Sequence, residues 1–364
     1  MSPKCRASGI SALLLSLIIF NLSINYASCE INDKQVVVFM ADGLLSRLTS
    51  GSSMPLLHSF VNHGVWDIKV RGDVSYSSPK IGWLSSLFGV TPAQLGCDVM
   101  TGCGVLPPEI ENAYNIFDVL TDTLSYHDNI YSEDPEYTTN VIGNVYSVRK
   151  FTSRVGKSHE LADDLSALTP AGDRLVVFHF KELVTTGFSD GWASSNYVGQ
   201  VACLDYQIHQ LTMDLWEYSP NRTTFILLSD RGGYGFSNQN FYLDTSQIVF
   251  AAWGYGVKQP PNIQHISINP TQIAKTILAM VDDDYETDVP SYWNAEQVDE
   301  CLQPDPAHHL TLDTVTTPTN PPAPLCIIPN TVPNTTIKVI CGLSFGILVI
   351  FALAISNMRW YLFS

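Results

Sequence analysis

The run Gln35-Val36-Val37-Val38-Phe39-Met40-Ala41-Asp42-Gly43-Leu44 constrains the fold of this chain more than any other stretch. Its β-branched-rich apolar part predicts a strand buried on both faces, as the central strands of a parallel sheet are. A carboxylate stands where that strand ends, and a glycine lets the chain turn. Ligands of open α/β sheets bind at the carboxyl ends of the strands, which places Asp42 like a metal-site or phosphate-site residue. A strand-end aspartate can equally cap the turn that follows.

Phe225-Ile226-Leu227-Leu228-Ser229-Asp230-Arg231-Gly232-Gly233 repeats the pattern, and Leu175–Phe180, Trp66–Val70 and Ile248–Trp253 read as further strands. Between them, Ser53-Met54-Pro55 opens a short amphipathic helix that carries Leu56, Leu57, Phe60 and Val61 and ends at Gly64, with the serine as its expected cap. Tyr197, Val201, Leu204, Ile208, Leu211 and Leu215 recur at helical spacing, and Asn269-Pro270-Thr271 caps a helix that runs to Met280. Strands alternating with helices predict an α/β domain over residues 30–302, a mainly parallel central sheet with helices on both faces.

Ser75-Tyr76-Ser77-Ser78-Pro79 is a polar turn feeding a helix that stops at Gly89. A hydroxyl there meets free backbone N–H groups and the positive end of the helix dipole, which suits a nucleophile that attacks phosphorus and suits a plain N-cap as well.

The ends of the chain read differently. Residues 1–29 carry Lys4 and Arg6, an apolar run from Ile10 to Phe20 and then Ala27-Ser28-Cys29, the pattern of a signal peptide cleaved after Cys29. Residues 303–336 are rich in Pro and Thr and read as a stalk. Residues 337–356 are apolar enough to cross a bilayer, and residues 357–364 would form a short cytoplasmic tail. The expectation is a type I single-pass protein of the secretory pathway, at the cell surface or an endomembrane; a glycolipid-anchor signal is the alternative reading of the same tail.

A formal net charge of −16 excludes a nucleic-acid partner, because nothing here neutralises a run of phosphates. Secretion permits disulfides, so Cys97 and Cys103 are expected to staple one loop; Cys203, Cys301 and Cys326 offer a further pair and a leftover. Asn221-Arg222-Thr223 and Asn334-Thr335-Thr336 are glycan acceptor sequons.

In this order the pieces resemble the alkaline phosphatase superfamily, most of all its type I phosphodiesterase and nucleotide pyrophosphatase branch, and are also similar to the lipid-anchor ethanolamine phosphate transferases. The likeness lies in Asp42-Gly43, Met54-Pro55 to Gly64-Val65, Trp83 through Gly89-Val90-Thr91-Pro92, Gly191 and Tyr197 before the helix with Asp205, Ser229-Asp230, Trp253-Gly254-Tyr255-Gly256-Val257 and Asn269-Pro270-Thr271. The resemblance implies two zinc ions, held by aspartates and histidines, that activate a Ser or Thr nucleophile. Asp42 and Asp230 match two of the ligands. Val184, Phe188 and Arg231 stand at other ligand positions, and where the last histidine is due Asn238 lies nearest. Counting back from Gly89 puts Pro79 on the nucleophile position; a small slip puts Ser78 there, or Ser77. Asp205 and His209 reproduce an Asp-x-x-x-His spacing inside the long helix, where Asp205 matches a structural aspartate.

Val and Phe cannot ligate zinc, and Arg repels it. The expectation is therefore a membrane-anchored ectodomain with a degenerate site, acting by binding to a lumenal or extracellular partner and needing no cofactor. The alternative is an active phosphodiesterase or phosphatase, or a phosphoethanolamine-type transferase, on at most one divalent cation such as zinc. Two carboxylates converging without a metal would need a positive partner. The guanidinium of Arg231 is expected to bridge Asp42 and Asp230.

Overall fold

In the computed structural model, residues 34–62, 64–71, 79–91, 93–94, 97–98, 102–103, 115–120, 127–132, 147–150, 173–218, 222–235, 247–258, 264–266 and 268–281 are described. The run that opened the sequence forms strand β1, Gln35–Ala41, and each of its residues is buried. A short 3-10 turn, Ser46–Leu48, leads to helix α1, Pro55–Val61, and strand β2, Val65–Arg71. Helix α2 spans Pro79–Phe88; β3, Cys97–Asp98, and β4, Gly102–Cys103, form a small separate ladder; a single turn, α3, covers Ile116–Asp118. Then come β5, His127–Ser132, β6, Ser147–Lys150, and β7, Asp173–Phe180. Helices α4, Glu182–Asp190, and α5, Ser195–Tyr218, precede β8, Thr223–Ser229, β9, Gln247–Gly254, and β10, Gln264–His265, and α6 spans Pro270–Val281.

The large sheet of the described residues has eight strands in the order β10-β2-β9-β8-β1-β7-β5-β6. The three apolar runs lie side by side with β1 in the middle, Val38 opposite Val177 on one flank and Ile226 on the other. β9 pairs antiparallel with both β8 and β2, while the other pairings are parallel, so the sheet is mainly parallel with one reversed strand.

Alternation along β1 sends Val36, Val38 and Met40 to a core shared with α2, α3 and α6, and sends Val37, Phe39 and Ala41 to a second core shared with α1, α4 and α5. Burying such a side chain is worth about 1.5–3 kcal/mol, so a strand with no polar face is driven to the one place where both faces are covered. α1 departs from the expectation at its cap. Met54 occupies the N-cap without a side-chain bond, and Asp205 of α5 accepts the N–H groups of Leu56 at 3.0 Å and Leu57 at 2.7 Å instead of a local serine. Asn269 caps α6 as read, accepting from the Thr271 N–H at 3.3 Å.

Cys97 lies directly opposite Cys103 in the β3–β4 ladder. Opposed residues of antiparallel strands have Cα atoms about 4.5–5.5 Å apart, within the span of a disulfide. Cys203 of α5 is disulfide-bonded. No helix among the described residues is long and apolar enough to cross a membrane. The signal segment, the stalk, the apolar run 337–356, the tail, Cys301, Cys326, Asn221 and Asn334 lie outside the described residues.

Candidate functional site

Parallel pairing of β1 with β8 sets Ala41 opposite Ser229, so Asp42 and Asp230 leave the same edge of the sheet on neighbouring strands. Asp42 and Asp230 are both buried. Gly43 ties them together, its N–H donating to Asp230 Oδ1 at 2.8 Å. Burial pushes the Asp230 carboxyl well above the usual range, and the nearby Asp42 pushes it the same way against the pull of Arg231.

Both oxygens of Asp42 are engaged. Trp83, on the first turns of α2, donates its indole N–H to Oδ1 at 2.7 Å. His179, next to last in β7 and in register with Met40, brings Nε2 to 3.0 Å from Oδ2. That is within the distance of an ion pair, which forms when the ring is protonated. The other ring nitrogen, Nδ1, lies 2.9 Å from Oγ of Ser132, the last residue of β5. Ser132, His179, Asp42 and Trp83 thus form a buried polar chain across three adjacent strands and one helix.

The turn after Asp42 is held as firmly. Gly43 has φ of 76°, a left-handed conformation that suits glycine. A Cβ there would also meet Val184 Cα at 3.1 Å. The Gly43 carbonyl accepts from Trp192 Nε1 at 3.3 Å and from the Tyr197 hydroxyl, which in turn accepts the Leu45 N–H at 3.2 Å. Burial raises the Tyr197 phenol, so it stays a donor. Trp192 lies against Gly187 and Gly233 so closely that a side chain on either would overlap its ring.

The residues named from sequence fall into distinct places. Val184 is buried in α4 against the Gly43 turn, and Phe188 is 47% exposed, its ring edge-on to Trp192 with centroids 5.0 Å apart. Arg231 is buried, and its Nε lies 3.6 Å from Asp230 Oδ2. The expected bridge from Arg231 to Asp42 is corrected: Trp83 and His179 already occupy both Asp42 oxygens, which leaves the guanidinium to Asp230. Ser77, Ser78 and Asn238 lie outside the described residues; α2 begins with Pro79, and its Gly82 packs against the backbone of Asp230. Asp205 and His209 serve the α1–α5 contact, one as the cap and the other as a ring tilted over Phe60 with centroids 5.3 Å apart.

Sequence reasoning missed His179 and Ser132. A signal existed, since His179 is the one titratable side chain within the apolar run Leu175–Phe180, and a buried imidazole needs a partner.

The double-zinc centre does not fit these residues. A zinc-ligating carboxylate presents a free oxygen to the metal, whereas Trp83 donates to one Asp42 oxygen and His179 Nε2 stands 3.0 Å from the other. Val184 and Phe188 have no donor atom, and a guanidinium stands at Asp230. Among the described residues no group of three or more His, Cys, Asp or Glu side chains is placed to hold a metal ion.

No protein-family model matches the sequence, and no curated protein matches it. Solved structures do. Murine ectonucleotide pyrophosphatase/phosphodiesterase 5 superposes with a TM-score of 0.55 at 12% identity, covering 74% of this chain and 100% of that one. A phosphonate monoester hydrolase from Silicibacter pomeroyi gives 0.54 at 11% identity, over 73% of this chain and 76% of the other. An alkaline phosphatase superfamily protein from Vibrio parahaemolyticus gives 0.50 at 14%, over 68% and 66%. The chain has the alkaline phosphatase-like fold, with phosphodiesterase-type hydrolases among its structural neighbours.

Proposed function

We propose that this chain is a membrane-anchored, alkaline phosphatase-like ectodomain that works by binding and does not hydrolyse phosphate esters. The observation that carries this reading is the engagement of both Asp42 oxygens by Trp83 and His179, beside Val184 and Phe188 at would-be ligand positions. In-line phosphoryl transfer on this fold needs metal charge at the attacking and leaving oxygens, and these residues supply none. Residues 1–29 would direct the chain into the secretory pathway, and residues 337–356 would anchor it with residues 30–302 outside the cytosol. The partner would be lumenal or extracellular.

Metal analysis of the purified protein, with assays on nitrophenyl phosphate mono- and diesters, tests the reading. The expected result is no stoichiometric zinc and no turnover. Two zinc ions per chain, or turnover that Ser78→Ala abolishes, would overturn it. One observation favours a second reading, a hydrolase running on a single divalent cation: Asp230 Oδ2 is buried with no hydrogen-bond partner. In that case one bound cation and a slow, chelator-sensitive turnover would be measured.

A further inference from the structure

We propose that His179 takes the place of a metal ion at Asp42, so that the protein covers a latent divalent-cation site with a side chain of its own. The proposal rests on the metal-free reading above and says what makes the site metal-free.

The placement is built by three elements. β7 delivers the imidazole to 3.0 Å from Asp42 Oδ2, Ser132 of β5 holds its far nitrogen at 2.9 Å, and Trp83 of α2 meets the ring edge-on, with centroids 6.5 Å apart at 90°. Ser132 is directly opposite His179 in the β5–β7 register, so the strand pairing itself fixes the ring. His179, Ser132 and Asp42 are 1%, 0% and 2% exposed. An imidazole so enclosed cannot swing to solvent, and a buried polar group without a partner carries a cost. The carboxylate of Asp42 is a partner that accounts for its presence in the otherwise apolar run Leu175–Phe180. At the other carboxylate, Arg231 Nε lies 3.6 Å from Asp230 Oδ2. Each aspartate therefore has its own nitrogenous neighbour, standing where a cation would otherwise stand.

The consequence concerns what removal of the ring exposes. Without His179, Asp42 Oδ2 would lose its nitrogen neighbour and face the space the ring had filled, while Arg231 keeps its place at Asp230. A carboxylate oxygen facing a ring-sized void is a hard ligand for a hard or borderline divalent ion such as Mn2+.

The test is Mn2+ binding to the full-length protein after chelator treatment, followed by electron paramagnetic resonance of free Mn2+ and by thermal denaturation. His179→Ala is expected to bind Mn2+ about tenfold tighter than the parent or more, the scale on which neighbours of a ligand act. Its melting temperature should rise with Mn2+ while that of the parent stays put, and adding Asp42→Asn should abolish both effects. His179→Asn repeats the measurement with a small polar residue if the alanine variant does not fold. Ser132→Ala, which only unpins the ring, should move binding in the same direction by less, and it carries the test if neither ring-deleted variant folds. Folded variants that bind Mn2+ no better than the parent would overturn the inference and leave the metal-free reading standing. A parent that already binds Mn2+ tightly through Asp42, lost in Asp42→Asn, would overturn both.

Discussion

Gly43 concentrates more of the site than either aspartate. Its N–H serves Asp230, its carbonyl serves Trp192 and Tyr197, and its φ of 76° is one that a side chain resists. Gly43→Ala should destabilise the protein by about 1–2 kcal/mol from the left-handed backbone alone, with the contact to Val184 adding to it. Urea denaturation followed by circular dichroism would show the midpoint fall; an unchanged midpoint would mean that the turn relaxes freely. Tyr197→Phe isolates the phenol. It leaves the Leu45 N–H buried without its acceptor, at a cost of about 1–3 kcal/mol, while the ring packing stays. In the same denaturation measurement, a loss near zero would mean that water replaces the hydroxyl.

At the scale of elements, the α1–α5 contact is a carboxylate that caps a helix distant in sequence. Burial pushes the Asp205 carboxyl up to about 7, against the two N–H groups that favour its ionised form. The native state therefore holds the proton more tightly than the unfolded chain, whose pKa is the ordinary 3.8. This group's contribution is most favourable below that value and declines as pH rises to about 7. The slope is at most about 1.4 kcal/mol per pH unit. Stability measured from pH 4 to 8 should show this decline, and Asp205→Asn should make it shallower, leaving the part that the raised Asp230 carboxyl contributes. The same contact shows what sequence can disclose. β1, β7 and β8 were legible because runs such as Val36–Met40 have no polar face to expose, and α5 because its apolar residues repeat at helical spacing. The short strands β5 and β6 were not, because Asp128-Asn129 and Arg149-Lys150 break any apolar pattern and they join the sheet through β7. Of the site, the two aspartates were legible from strand-end position. The pairing of His179 with Asp42 was not, because it depends on which strand lies beside β1, a fact of topology that local patterning does not contain.

For the whole molecule, the sheet carries an aromatic layer on the face covered by α1 and α5. Phe39 packs against Phe178, Phe225 and Trp253 with centroids 5.8, 6.2 and 6.1 Å apart, and Trp253 continues to Phe60 at 5.8 Å. Four neighbouring strands, β7, β1, β8 and β9, each contribute a ring, drawn from both ends of the domain. Side chains alternate along a strand, so a slip of one residue in any of the four would throw its ring into the opposite core. The layer thus acts as a register gauge that can be read only once all four strands have met. Such distant contacts close late, and folds dominated by them reach the native state slowly. Refolding followed by near-ultraviolet circular dichroism, which sees the stacked rings, should therefore lag behind the far-ultraviolet signal of the helices. While it lags, the apolar strands stay exposed to one another between molecules, and a chain of this kind would depend on chaperones during that interval.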